Sequence, residues 1–303
     1  MKVVGRHRNL AMLIGLALIW GSSFLFIKVA VRELTPATLI VGRLGLAAIT
    51  LAALVPFVVG TGETARQLRA NWVWLVVVAL VNTAIPFWLL SWGETRIDSG
   101  LASIIQASVP IFNALIAFVA FREVRVTGMR LVGVAVGFVG VALLVGAQPE
   151  GKVLGALAVV GMAFCYGLGG LLTGRYLKPA QPVVVSFAST AIATLVWLPV
   201  GIAQAPAHMP GWKTIGSVLA LGIPGTALAY LLFFGLITGA GAAYASLVTY
   251  LIPPIALAYG AIFLGERLGA AAFGGLALIL AGVALGTGAV RFRRARQPQP
   301  VDT

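Results

Sequence analysis

Side chains able to bind a small solute recur at helical spacing within apolar stretches of this chain. Gln106, Pro110 and Asn113 follow one another at i, i+4 and i+7, and the segment 246–253 repeats that spacing with Ser, Tyr and Pro. Residues spaced in this way share one face of an α-helix. The pattern indicates binding, because hydroxyl and amide groups form hydrogen bonds and aromatic rings offer apolar surface.

The same apolar stretches hold little that could catalyse a reaction or ligate a metal ion. Their middles contain no Asp, Glu or His, and His7 and His208 lie outside them. Cys165 is the only cysteine, which excludes a disulfide framework and a cysteine metal site. We therefore expect no catalytic residue, no metal ion and no cofactor, and an enzyme is disfavoured.

The composition indicates a lipid environment for the 303 residues. Hydrophobic residues make up 60% of the chain, charged residues 10%, and the mean hydropathy is +1.03, which excludes an ordinary soluble domain and a disordered chain. A helix crosses the hydrocarbon layer with about 20 apolar residues. We predict an all-α integral membrane protein with ten transmembrane helices, at residues 10–31, 36–60, 71–93, 99–121, 127–147, 153–174, 182–203, 213–236, 241–264 and 269–290.

The formal charge of +13 indicates orientation rather than a nucleic-acid partner. The dense basic cluster at 291–296 directly follows an apolar stretch and has no interleaved aromatic pattern, so it is interpreted as a membrane flank. With ten helices, most Lys and Arg residues, including Lys2, Arg6 and Arg8, lie on the side that holds both termini. The positive-inside rule places both termini in the cytoplasm, and the first apolar stretch is a retained helix rather than a cleaved signal.

An internal repeat divides the chain into two halves. The segments 102–123 and 245–266 align at an offset of 143 residues, which pairs Pro110 with Pro253 and Glu123 with Glu266. Because each half holds five helices, an odd number, the second enters the membrane from the opposite side. We predict two inverted five-helix repeats, at 1–148 and 149–292, followed by a basic, proline-rich cytoplasmic tail at 293–303.

Two similar halves in opposite orientations predict alternating access around a site at the bilayer midplane. Polar and aromatic residues recur there at matching depths on repeat-related helices, which predicts a cavity for a small-molecule substrate. Hydroxyl and amide groups can also join helices by hydrogen bonds, and that structural role is the alternative for each residue taken singly. The predicted lining consists of Trp20, Asn82, Thr83, Phe87, Gln106, Tyr166, Tyr230, Thr249 and Tyr250.

Prolines in the middle of helices four and nine offer sites of bending. Pro110, Pro253 and Pro254 lack a backbone N–H, so each kinks a helix and frees carbonyl groups. Position alone leaves a moving hinge and a static bend open. Hinges would suit a protein that alternates between two states.

Charges within the predicted spans suggest a gate or a substrate contact. Lys28 is close enough to a span end to extend to the interface, whereas Arg43 lies about seven residues inside its span. Glu94, at the outer end of the third span, is the nearest counter-ion. Either the three residues form a gate-side ion pair, or Arg43 binds a substrate carboxylate.

The positions of the carboxylates bear on two points: which turns they cap and whether transport is coupled to protons. Glu123 and Glu266 are equivalent under the repeat and are expected to cap turns at opposite membrane faces. Every carboxylate lies at a span end or in a loop, so the sequence favours facilitated diffusion over a proton relay. The alternative is that Glu94 titrates beside Arg43 and gives weak proton coupling.

The order of several short motifs resembles the EamA family of the drug/metabolite transporter superfamily over essentially the whole chain. These motifs are Trp20-Gly21-Ser22-Ser23-Phe24, Lys28, Arg43, and the two segments Pro110 to Glu123 and Pro253 to Glu266. The resemblance implies two EamA units and a bacterial inner-membrane exporter of small organic metabolites, often amino acids and their analogues. An exporter of the same fold for drugs or other metabolites remains the alternative. A channel is less favoured because tryptophans and kink prolines suit a closed cavity. We expect a monomer or a weak dimer.

Overall fold

The structure is a computed structural model that describes residues 2–121 and 129–286, and within these ranges every regular element is helical. The α-helices are α1 (Lys2–Ala30), α2 (Pro36–Val58), α3 (Thr61–Ala79), α4 (Ile85–Glu94), α5 (Ser99–Gln106), α6 (Val109–Ile116), α7 (Met129–Gly146), α8 (Glu150–Tyr176), α9 (Pro182–Ala203), α10 (Trp212–Gly222), α11 (Ala229–Ala240), α12 (Ala242–Ala245), α13 (Val248–Tyr259) and α14 (Ala270–Gly286). The carboxy-terminal tail, Arg122 and Glu123 lie outside the described residues.

Apolar composition makes the described helices those of a membrane protein. Seven helical stretches are long and apolar enough to cross a bilayer, and three shorter apolar helices lie at Leu131–Gly146, Val248–Leu264 and Ala270–Leu285. Large side chains such as Phe57 and Ile262 are exposed on the outside, at 89% and 73% of their surface. Such surface is unfavourable in water and favourable against lipid chains, so the protein is a multi-pass membrane protein.

Among the residues that the structure describes, four π-helical turns interrupt the helices and follow the sequence repeat. Leu80–Ala84 and Ile223–Leu228 begin 143 residues apart, and so do Ala117–Phe121 and Gly260–Leu264. A π turn inserts one extra residue and is frequent at functional sites. The repeat seen in the sequence therefore extends to irregularities of the backbone.

Helix contacts are equivalent in the two halves. Helix α1 packs against α13, α10 and α11, and its counterpart α8 packs against α5, α6 and α4. The pairs α2–α9 and α7–α14 each join one helix to its own repeat counterpart. The two halves therefore enclose a common centre, lined on both sides by α1 and α8.

Glycines let α7 and α14 approach backbone to backbone. A Cβ atom added to Gly282 would lie 2.5 Å from the backbone nitrogen of Gly137, and one on Gly140 would lie 3.0 Å from the carbonyl oxygen of Gly275. Small residues allow such contact in membranes, where it gains dispersion energy. These glycines are packing positions within one chain.

Candidate functional site

A cavity of about 330 Å³ lies between the two halves of the protein. Helices α1, α2, α4, α5, α6, α8, α11 and α13 contribute to its wall, together with the π turns at Leu80–Ala84 and Ile223–Leu228. Its lining is Trp20, Ser23, Phe24, Arg43, Asn82, Phe87, Leu90, Gln106, Val109, Tyr166, Gly225, Thr226, Tyr230, Phe233, Thr249 and Ile252.

Seven residues of the predicted lining meet in this cavity: Trp20, Asn82, Phe87, Gln106, Tyr166, Tyr230 and Thr249. The rings pack in pairs along the wall: Trp20 lies 5.4 Å from Phe233 and Phe87 lies 6.4 Å from Tyr166, measured between ring centroids. Edge-to-face and tilted contacts of this kind fix ring orientation. The cavity therefore has a largely apolar, preformed body.

Thr83 and Tyr250 lie elsewhere than the sequence predicts. Thr83 is buried, at 1% exposed, and does not contribute to the lining, whereas its predicted neighbour Asn82 does. Tyr250 packs against the main hydrophobic core. Thr249 lines the cavity and the adjacent Tyr250 does not, because neighbouring residues of a helix face different directions.

Several lining residues escape the sequence reasoning because they are apolar or small. Phe24 follows Trp20 at i+4, Leu90 follows Phe87 at i+3, and Phe233 follows Tyr230 at i+3. Helical spacing from the predicted residues was the signal that could have found them. Apolar side chains stand out poorly in a sequence that is apolar almost throughout.

Arg43 places a cationic group in the wall of the cavity. The residue is 7% exposed, its Nε donates a hydrogen bond to Thr226 Oγ1 at 3.1 Å, and its Cζ lies 4.4 Å from the centroid of the Phe87 ring. The Thr226 hydroxyl in turn donates to the Leu221 carbonyl at 2.8 Å, across its π turn. Arg43 forms no ion pair with a carboxylate of the described residues, so its terminal N–H groups can bind an anion in the cavity.

Lys28 and Glu94 meet, but not as an ion pair. The Lys28 ammonium donates to the carbonyl oxygens of Glu94 and Ile97, both at 2.7 Å. The Glu94 carbonyl is at the end of α4 and the Ile97 carbonyl is in the turn after it, where unpaired acceptors attract a cation. With Lys28 bound to carbonyls and Arg43 to Thr226, the predicted ion pair of Lys28, Arg43 and Glu94 is absent from the described residues in this conformation.

Glu94 ends α4 as predicted, yet its side chain is fully buried. It is 0% exposed, and neither carboxyl oxygen accepts a hydrogen bond from any described residue. Lys28, from a distant part of the chain, binds the backbone carbonyls of Glu94 and of Ile97 in the turn that follows. Position at a span end therefore does not give this carboxyl group access to water.

Glu266 caps the start of α5. Its carboxylate accepts hydrogen bonds from the Ser99 backbone N–H at 2.8 Å, the Gly100 N–H at 3.0 Å and the Ser99 hydroxyl at 3.0 Å. A carboxylate at a helix N-terminus satisfies free donors and opposes the positive end of the helix dipole. Glu266 thus has the capping role that its position predicts, although the helix lies in the other half of the chain.

The prolines differ in their relation to helix breaks. Pro110 lies in the first turn of α6, directly after α5 ends at Gln106. Pro253 and Pro254 lie inside the continuous helix α13, and the nearby break precedes them at Ser246–Leu247. Only the first of the three marks an interruption of the helix.

Comparison with known proteins gives several transporters. A 243-residue match at 27% identity covers 77% of this chain and 80% of Protein PecM from Dickeya dadantii. The probable terminal-alkyne amino-acid exporter of Streptantibioticus cattleyicolor is 27% identical over 88% of this chain and 89% of its own length. The probable amino-acid metabolite efflux pump of Escherichia coli is 26% identical, over 91% and 94%.

A solved crystal structure shows the same fold. It superposes with a TM-score of 0.64 over 93% of this chain and 96% of its own, at 18% sequence identity. The EamA-like transporter family model matches twice, at residues 8–146 and 153–287, one match for each half of the repeat. Members of that family are transporters, not enzymes. The chain therefore belongs to the EamA-like transporter family, with two EamA units.

Proposed function

We propose that this protein exports small amphipathic metabolites, foremost amino acids and their analogues, across the inner membrane of a bacterium. It works as a secondary transporter of ten spans in two inverted five-helix units, with both termini cytoplasmic, and the cavity opens alternately to the two sides. The helix break beside Pro110 is one hinge of this motion, and the bends at Pro253 and Pro254 are others. Each unit supplies part of the substrate site.

The observation that carries the proposal is an aromatic cavity with one cationic side chain in its wall. A volume of about 330 Å³ is at the lower end of the range for small-molecule sites and fits a solute the size of one amino acid. Among the lining residues only Arg43 carries a charge. A guanidinium group binds a carboxylate through two parallel hydrogen bonds, and the surrounding rings favour an apolar side chain.

Drugs that a transporter of the same fold could carry fit this lining less well. A cationic drug would meet the Arg43 guanidinium at close range without a carboxylate beside it, which is unfavourable in a desolvated site. A solute that carries both a carboxylate and an apolar group uses both parts of the wall. The two amino-acid transporters named among the relatives support the same substrate class.

Transport of a matched pair of solutes tests the role of Arg43. The protein is reconstituted into liposomes, and counterflow of L-phenylalanine is compared with that of L-phenylalaninamide, which lacks the carboxylate. We expect at least about tenfold faster exchange of the acid, because a hydrogen bond to a charged group contributes about 1.5–3 kcal/mol. Arg43→Gln should abolish this preference, whereas Arg66→Gln, at an exposed arginine paired with Glu63, should retain it.

Two outcomes contradict the proposal in different ways. Equal exchange of acid and amide would remove the carboxylate contact to Arg43. Absence of exchange for every amino acid in a panel of side chains would remove the substrate class.

Gln106→Ala should slow exchange, while Tyr250→Ala, at a residue outside the cavity lining, should affect exchange less. The reverse order would contradict the assigned lining.

A further inference from the structure

Glu94 is a buried carboxyl group that is not part of the cavity lining, so substrate binding does not explain its burial. The side chain is 0% exposed and both carboxyl oxygens lack a hydrogen-bond partner among the described residues. A charged carboxylate in such a place is strongly disfavoured relative to water, whereas a neutral carboxyl group is tolerated. Burial at this position therefore favours a neutral carboxyl group over a carboxylate.

The charged groups around Glu94 are occupied by other partners. Lys28 binds two carbonyl oxygens, Arg43 binds Thr226 and stacks on Phe87, and Glu266 accepts three hydrogen bonds at the start of α5. The ionisable groups at this end, on the elements packed against α4 and in the turn that follows it, are Lys28, Arg43, Arg96, Asp98, Lys152, Cys165, Tyr166 and Glu266. Asp98 and Lys152 face each other at 3.8 Å.

Glu94 lies between the cavity-lining residues of α4 and the turn that follows this helix. Phe87, Leu90 and Glu94 share one face of α4 at i, i+3 and i+7, and the first two line the cavity. Beyond Glu94 comes the α4–α5 turn, residues 95–98. Lys28 binds the carbonyl of Ile97 within this turn, and Glu266 binds the start of the helix after it.

We propose that Glu94 is a proton-binding site that controls closure of the α4–α5 turn. With the proton bound, the neutral carboxyl group stays under the closed turn, as in this structure. When the proton leaves, the carboxylate needs water or a cation, and Lys28 leaves the carbonyls of Glu94 and Ile97 to neutralise it. Acid pH therefore favours the closed turn, and alkaline pH favours the open one.

The control is a gate rather than a driving force. It rests on the proposed function only because an alternating-access carrier must open this end in part of its cycle. Substrate can still flow down its own gradient, while the proton sets how often this end opens. A test that needs no transported solute keeps the two proposals separate.

Cysteine labelling in lipid nanodiscs measures opening of the turn. Cys165→Ser gives a cysteine-free background, and Ser103→Cys places a near-isosteric thiol at a fully buried site in α5. A membrane-impermeant maleimide reports its exposure. Each rate is divided by that of the unfolded protein at the same pH, because thiolate fraction itself rises with pH.

Labelling in this parent should rise about tenfold from mildly acidic to alkaline pH, since closed states commonly coexist with about 1–10% of an open form. Glu94→Gln, which mimics the neutral carboxyl group, should stay low and flat. Glu63→Gln, at a carboxylate on the other end of the α3–α4 stretch paired with Arg66, should behave as the parent. A flat parent, or an unchanged pH rise in Glu94→Gln, would overturn the proposal.

Infrared spectroscopy gives a second, direct readout of the proton. The parent in lipid at neutral pH should show a carboxylic-acid C=O stretch from a buried group, and Glu94→Gln should lose it. This measurement remains decisive if the labelled variants fold poorly. Persistence of the same band in Glu94→Gln, or its absence from the parent, would contradict the assignment.

Discussion

The two turns that the repeat relates, α4–α5 and α11–α12, are closed by different chemistry. At α4–α5, Lys28 binds two carbonyls and Glu266 caps the next helix. At α11–α12, Gly241 takes a φ of 91° and donates its N–H to Ile237 at 2.9 Å, while Asn9 Nδ2 reaches the Gly239 carbonyl at a long 3.4 Å. The repeat-related turns thus carry charged contacts at one end and a glycine of positive φ at the other.

The comparison shows that the repeat sets the position of each turn but not the strength of the contacts that stabilise it. Charged hydrogen bonds in a region poor in water are stronger than a single exposed amide contact. The two ends should therefore differ in the free energy needed to open them, with α4–α5 the more firmly closed. Substitutions at the two turns measure that difference.

Lys28→Met should have the largest effect. It leaves the carbonyls of Glu94 and Ile97 without their cation and should lower the free energy of unfolding by about 3 kcal/mol, since hydrogen bonds to charged groups contribute about 1.5–3 kcal/mol each. Unfolding in detergent, followed by tryptophan fluorescence, measures the loss. Lys178→Met, at an exposed lysine, is the control. Equal losses of unfolding free energy in the two variants would show that the Lys28 contacts do not stabilise this turn.

Glu266→Gln should have the next largest effect. The amide keeps one acceptor oxygen but loses the charge that opposes the α5 dipole, so about 1–2 kcal/mol of unfolding free energy should disappear. Labelling of Ser103→Cys should rise in this variant at every pH. Unchanged stability and labelling would show that the carboxylate charge does not hold this turn.

Gly241→Ala should cost about 1 kcal/mol, because its φ of 91° disfavours a residue with a Cβ atom. Asp98→Ala, at the position the repeat equates with Gly241, is the matched comparison. Asp98 has a φ of −69° and only a 3.8 Å contact to Lys152, so its replacement should cost less than about 0.5 kcal/mol. Reversal of this order in unfolding experiments would break the contrast between glycine geometry and charged contacts.

Asn9→Ala should have the smallest effect, within about 0.5 kcal/mol, because it removes one long hydrogen bond together with a buried oxygen that has no partner among the described residues. The same fluorescence measurement applies. A loss well above that of Gly241→Ala would mean that the α11–α12 end is held by its side chains after all.

Much of the candidate site follows from sequence alone, because two simple periodicities set it. Helical spacing and the 143-residue offset bring Trp20, Gln106 and Tyr230 to one cavity. The predicted set names both members of two adjacent pairs, Asn82 with Thr83 and Thr249 with Tyr250, but only Asn82 and Thr249 line the cavity. Neighbouring residues of a helix face different directions, and depth in the span alone does not decide which of the two faces the cavity.

Burial of Glu94 escapes sequence reasoning for a related reason. Lys28, which binds the backbone carbonyl of Glu94, is 66 residues away along the chain, and Glu266 binds the following helix from the other half. A carboxylate at a helix end is usually free to reach water. Which end is covered depends on contacts between distant segments, and these are absent from any local pattern.

The glycine contact between α7 and α14 has a consequence for how this transporter can change over evolutionary time. These two helices contribute no residue to the lining of the described cavity, although they bind each other backbone to backbone. Substitutions in the lining therefore leave this contact intact, and a Cβ at Gly282 would disturb it without touching the lining. Selection for a new solute can act on one set of positions while selection for assembly acts on another.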